Sequence, residues 1–225
     1  MKRNIILMAF LLITALVSAQ NHSKSLSSVE SKHDFEPNFE QVVRSVIDSY
    51  NRKDVKKLNQ LIHKEIGLYF MYLPGSVPRW THQKEIYLDT IQRENVILPY
   101  WNRETLAFQK IKENLPLKKV QTIDVLEVIS SEKTPTEGLF FVDNPDFQKQ
   151  LSFCIKTELK YEISDIETKR KYLTELKKVQ KFEQNTRCIV AIWQKNDGDF
   201  DIFIFYVTKM DKKWYLTMID FSSLP

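Results

Sequence analysis

The chain reads as an α+β protein: N-terminal amphipathic helices packed on one face of a curved, cone-like antiparallel sheet that ends in a three-stranded meander. Three observations predict this. Residues 39–50 repeat apolar side chains at helical spacing. Leu151–Ile163 alternates apolar and polar residues, the pattern of a strand with one buried and one wet face. Residues 187–221 divide into three apolar runs separated by turn residues.

Phe39, Val42, Val43, Val46, Ile47 and Tyr50 fall on one face of the opening helix, with Pro37 near its first turn, where a missing amide is no loss. A break at Asn51-Arg52-Lys53 precedes Asp54, whose carboxylate can cap a second short helix carrying Val55, Leu58, Leu61 and Ile62 and stopping near His63. Gly67 then leads into Leu68–Leu73, an apolar and aromatic run of strand length closed by Pro74-Gly75. From there to His82 the chain is too rich in breakers to be regular. A short helix is expected over 83–94 and a partly helical insertion over 95–116. Val120–Ile129 and Gly138–Val142 read as strands. After the alternating stretch Leu151–Ile163, residues 164–184 predict an exposed amphipathic helix with Ile166, Leu173, Leu176 and Val179. The meander comprises 187–194, 200–208 and 213–221, and Asp197-Gly198 is a strong hairpin signal.

Residues 1–19 have the form of a secretory signal: Lys2 and Arg3, an apolar run over 5–16, then Val17-Ser18-Ala19 as a small-residue cleavage site. Cleavage after Ala19 would leave a flexible leader over 20–36 and a single α+β domain over 37–225, secreted or periplasmic. No later stretch approaches the ~20 residues that a spanning helix needs, so no membrane partner is expected once the signal is gone. The signal takes two basic residues from a net charge of +4, and the remaining cations are interspersed with acids. That is the pattern of a solvated surface and not of a phosphate-binding stripe, so no nucleic-acid partner is expected.

The four glycines lie beside strands or turns and form no phosphate loop. No His-Glu-x-x-His, Gly-x-Ser-x-Gly or Cys/His signature occurs, so neither a metal nor a cofactor is expected. Cys154 and Cys188 are too few and too far apart for a thiolate metal site. Both fall on expected strands of an exported chain, which leaves two alternatives: a disulfide across the outer face of the sheet, or two buried thiols.

The helices joined at Asn51 to Asp54, the apolar strand after them, and the terminal Lys213-Trp214-Tyr215-Leu216-Thr217-Met218-Ile219-Asp220 together resemble the nuclear transport factor 2-like superfamily. The chain also looks like small exported bacterial proteins. The superfamily resemblance implies a cone-shaped fold whose helices cap a bent sheet. It also implies a catalytic Asp, with or without His, in those members that are enzymes. Capping accounts better for Asp54. His63 reads as a cation at a helix C-terminus, and Asp220 could point into the cone or toward a sheet edge. No residue is therefore assigned a catalytic role.

Aromatic residues crowd the segment after the first strand: Tyr69, Phe70, Tyr72, Trp80, Tyr87, Tyr100 and Trp101. Filling the core accounts for most of them. Arg79, Trp80 and His82 come from a loop that core packing does not require, so they are the expected ligand-binding residues. The function expected is that of a non-catalytic binding or accessory module holding a small apolar ligand or a protein partner. The alternative is a small-molecule isomerase, cyclase or hydrolase working by general acid and base catalysis in the same cone.

Overall fold

A computed structural model describes residues 38–73, 78–86, 110–120, 136–143, 151–195 and 198–222. The expected signal and leader, the helix beyond Ile86, most of the 95–116 insertion, the strand over 121–129 and the aromatics Tyr87, Tyr100 and Trp101 lie outside the described residues.

Helix α1 (Phe39–Asn51) and the short α2 (Val55–Gln60) form where the apolar spacing requires, and Asp54 caps α2 by accepting from the Lys57 amide at 3.0 Å. Strands β1 (Leu68–Tyr72), β2 (Arg79–Gln83), β3 (Leu117–Lys119) and β4 (Gly138–Asp143) follow. Then come helices α3 (Leu151–Tyr161) and α4 (Ile166–Glu183) and the meander β5 (Thr186–Gln194), β6 (Phe200–Met210) and β7 (Lys213–Asp220).

The strands form one seven-stranded sheet in the order β2-β1-β7-β6-β5-β4-β3, which is not strongly curled. It is mixed where an antiparallel sheet was expected, because β1 runs parallel to β7 and β3 parallel to β4. Helices cover both faces where one was expected. On the first face Phe39, Val43, Val46, Ile47 and Leu58 of α1 and α2 pack on Leu68, Phe70, Phe141, Ile189, Phe205 and Leu216. On the second, Leu151, Ile155, Val179 and Phe182 of α3 and α4 pack on Tyr69, Met71, Phe140, Val190, Tyr206 and Met218. Successive residues of a strand point to opposite faces, so a doubly covered strand must be apolar at every position. That is why β1 reads Leu-Tyr-Phe-Met-Tyr and β4 reads Leu-Phe-Phe-Val without alternation. Phe39 illustrates the packing: fully buried, its ring sits 4.9 Å from both Phe141 and Trp214, and truncation to alanine is expected to destabilise by ~3–5 kcal/mol.

Two sequence readings are corrected here. The alternating stretch Leu151–Ile163 folds as helix α3. Leu151, Cys154, Ile155 and Glu158 stand at i, i+3, i+4 and i+7, and all four are buried, whereas Tyr161, apolar in the strand reading, is 67% exposed. Residues 79–82, read as irregular, and Gln83, read as the start of a helix, together form strand β2 at one end of the sheet.

A bulge also changes the face that the last residues of β7 present. Tyr206 pairs with Met218 and Val207 with Leu216, so Thr217 is the extra residue. Trp214 and Leu216 therefore face α1 and α2, while Met218 joins the core under α3 and α4.

Candidate functional site

The three residues expected to bind a ligand are brought together on β2, against α3 and α4. Antiparallel pairing with β1 sets Trp80 opposite Met71 and His82 opposite Tyr69. Trp80 packs edge-on against Tyr172 of α4, ring centres 5.3 Å apart, and His82 stacks on Tyr69 at 4.4 Å. The Arg79 guanidinium is clamped between two carboxylates, paired with Glu162 just past the end of α3 and lying 4.0 Å from Glu158 on that helix. Glu158 and Glu162 are one helical turn apart, so both reach the same strand end.

Glu158 is 2% exposed, and burial raises its affinity for a proton. The Tyr172 hydroxyl, the Arg79 charge and the Trp80 backbone N–H oppose that shift. Burial and the Glu158 carboxylate in turn push the Tyr172 phenol up. Beside them, Tyr69 donates to Glu175, and burial together with that bond raises the Tyr69 phenol well above its usual range. Lys178 reaches both Glu175, at 3.5 Å, and the Ile66 carbonyl, at 3.3 Å. His82 Nε2 meets the same carbonyl at 2.6 Å, and burial lowers its affinity for a proton. The cluster thus leaves Arg79 already neutralised by Glu162 and Glu158, so a ligand carboxylate would have to displace one of them.

A second polar row crosses the same side of the sheet. The hydroxyls of Thr186, Thr208 and Thr217 are linked at 2.7 and 2.8 Å, all three buried. Asp220, 1% exposed, accepts from the Ser222 amide and hydroxyl at 2.7 and 2.6 Å and from Tyr206 at 3.4 Å. Glu183 accepts from the Ser152 amide at 2.8 Å, and burial raises its affinity for a proton. A void of about 10 Å³, the size of one water, lies among Glu183, Thr186, Tyr206 and Thr217. On the opposite side of the molecule a groove of about 170 Å³ is bounded by Arg44, Asp48 and Lys112 over Ile47, Leu115 and Leu139.

Cys154 and Cys188 are separate buried thiols, and Cys154 stands on a helix where the bridge across the sheet required a strand. Burial, with the Glu158 charge second, pushes the Cys154 thiol up, the opposite of what a reactive thiolate needs. His63 Nδ1 accepts from the Glu65 amide at 3.3 Å, and its ring lies edge-on to Tyr215. Among the described residues no three His, Cys, Asp or Glu are grouped as a metal would need.

Sequence reading missed Glu158, Glu162, Tyr172 and Glu175. The available signal was the helical spacing of Glu158 from Leu151, Cys154 and Ile155, which strict alternation over the same residues concealed. Three polar atoms of β2, Trp80 Nε1, Thr81 Oγ1 and Gln83 Oε1, are buried without a hydrogen-bond partner among the described residues. No family model matches the chain, and neither does any curated protein or solved structure.

Proposed function

We propose that the protein is an exported, non-catalytic binding or accessory module that engages a protein partner at the β2 end of its sheet. The observation that carries this reading is the state of the acids and bases on this side of the sheet, of which Glu158 and Asp220 are buried. Glu158 is held by Arg79 and Tyr172, Asp220 by Ser222, Glu183 by Ser152, and His82 by the Ile66 carbonyl. A general acid or base must meet its substrate within hydrogen-bond reach, and these groups are already committed to structural partners.

The β2 end is favoured for two reasons. It is the last strand of the described sheet on that side, and three of its five residues bury a polar atom without a partner. Each such atom costs about 1–3 kcal/mol, which a partner supplying the missing bonds would recover. Addition of a partner strand to a sheet edge is a common recognition mode. Neither the void beside Thr186 nor the groove beside Arg44 reaches the ~300 Å³ at which ligand pockets begin, so neither is offered as a small-molecule site. The enzyme reading would rest on Glu158, whose raised proton affinity suits a general acid but whose side chain is almost wholly enclosed.

The test is native mass spectrometry of the protein from its natural source, followed by hydrogen exchange of the isolated complex. A co-purifying polypeptide that slows exchange across residues 79–83 is the expected result. Retention of a small molecule, or protection confined to another segment, overturns the reading.

A further inference from the structure

Helix α4 is amphipathic on its inner side and carries a second pattern on its outer side. Inward, Tyr172, Leu176, Val179 and Phe182 pack on the sheet. Outward, the spacing i, i+4, i+7, i+11, i+15 aligns Ile166, Arg170, Leu173, Lys177 and Lys181 in one stripe. Ile166 is 67% exposed and Leu173 48%. A single exposed aliphatic side chain is ordinary, but two on a stripe whose other members are all cationic call for an explanation. Tyr161, at the adjoining end of α3, is exposed too, with the Lys160 ammonium 4.7 Å from its ring centre.

The acids nearest the stripe are engaged elsewhere. Glu162 pairs with Arg79, Asp165 caps α4 through the Thr168 amide at 2.7 Å, and Glu167 pairs with Lys171 at 3.3 Å. The stripe itself contains no acid, and its three cations make no ion pair among the described residues.

We propose that the outer stripe of α4 docks the protein on the surface of an anionic phospholipid bilayer. Charge complementarity sets the sign of the partner: three cations without counter-charges suit a surface of phosphates. The spacing sets its kind. Ile166 and Leu173 stand seven residues and so ~10 Å apart along the axis, with Arg170 between them. A rigid protein interface needs a contiguous buried centre, which two separated aliphatic side chains do not provide. A fluid headgroup layer closes around each separately, while the arginine and lysine stems lie along the boundary with their charges in water. No described helix is long and apolar enough to cross a membrane, and surface docking needs none. With each cation contributing ~1 kcal/mol at an anionic surface, binding to anionic over neutral vesicles should be favoured on the order of a hundredfold, and salt should erase the difference.

The experiment uses the full chain carrying Leu173→Cys, labelled with an environment-sensitive nitrobenzoxadiazole. Cys154 and Cys188 are buried, so the label goes to position 173. Vesicles of equal parts phosphatidylcholine and phosphatidylglycerol should brighten and blue-shift the probe severalfold, and pure phosphatidylcholine should not. The triple charge reversal Arg170→Glu, Lys177→Glu, Lys181→Glu, at exposed positions and with thermal stability checked, should abolish the change. Three results overturn the proposal: equal response to both vesicle types, a dark probe on protein that sediments with vesicles, or a response to soluble polyglutamate but not to anionic vesicles. The last would assign the stripe to an acidic polypeptide.

Discussion

Asn51 and the backbone of Ile111 are joined by two hydrogen bonds of 2.8 Å, the side-chain amide donating to the carbonyl and its oxygen accepting from the N–H. Asn59 does the same to Ile86, at 3.2 and 2.7 Å. The α1–α2 unit thereby holds the chain on both sides of the segment between Ile86 and Ile111, and both isoleucines are buried. Replacing Asn51 by alanine strands a buried donor and a buried acceptor. The expected loss is ~2–4 kcal/mol, read as a lower urea midpoint at unchanged slope. Asn51→Asp keeps the acceptor but sets a carboxylate oxygen against the Ile111 carbonyl, so it should lose stability as well, and less at low pH where the protonated acid can donate. A wild-type midpoint for either variant would show that the paired geometry is not what matters.

Arg187 supplies a second test. Its guanidinium lies 4.6 Å from the ring centre of Phe39 and 4.7 Å from that of Trp214, with Nε paired to Asp143. A planar, weakly hydrated cation suits such a stack, and an ammonium does not. Arg187→Lys should therefore destabilise by ~1–2 kcal/mol although it conserves charge. A lysine variant with the wild-type melting temperature would show that charge alone is being used.

For Glu158 the sign of the pH dependence follows from its raised proton affinity in the fold. Stability from this group is fully present below its unfolded value near 4.5 and is lost as pH rises through the higher folded value. Glu158→Gln keeps the shape and an acceptor for Tyr172, and Arg79 retains Glu162. Chemical denaturation between about pH 4 and pH 8 should show the variant losing less stability than wild type as pH rises, with Glu183 supplying the remaining slope. Parallel curves would mean that Glu158 is not held protonated more tightly in the fold than outside it.

Gly67 leads into β1 at φ +74°, and a β-carbon there would come within 2.5 Å of both the Gln83 carbonyl and the His82 ring. Backbone conformation and space therefore both exclude a side chain. Gly67→Ala should cost about 2–4 kcal/mol and should speed hydrogen exchange in β2 before the rest of the sheet. Uniform loss of protection would place the damage elsewhere.

The legible parts of the fold were those whose pattern has one physical reading. Phe39, Val43, Val46 and Ile47 admit only a helix, Asp54 is a cap by chemistry, and Asp197-Gly198 marks a hairpin between two apolar runs. Leu151–Ile163 carries two periods at once, and Glu158 decided the error: taken as the wet side of a strand, it is a buried carboxylate answered by Arg79 from a distant segment. The unalternating strands carried a signal for helices on both faces that the one-face expectation overlooked, since one solvated face would have required polar residues at every second position. Arg79, Trp80 and His82 were grouped as candidates because breakers surround them. What they touch was not legible, because the partners lie in or beside β1, α3 and α4 and no local rule links those segments to β2.

The parallel pairing of β1 with β7 bears on when the protein can fold. A strand near the start of the described chain takes its neighbour from the last one, with Tyr69 beside Met218 and Phe221 donating to the Met71 carbonyl at 2.8 Å. Until the C-terminal strand has been synthesised, β1 lacks one of its two neighbours and the chain cannot close its sheet. Contacts this far apart in sequence form slowly, because the loop between them must be ordered before they repay its entropy. Completing the sheet is therefore a late event, set by the arrival of β7 beside β1.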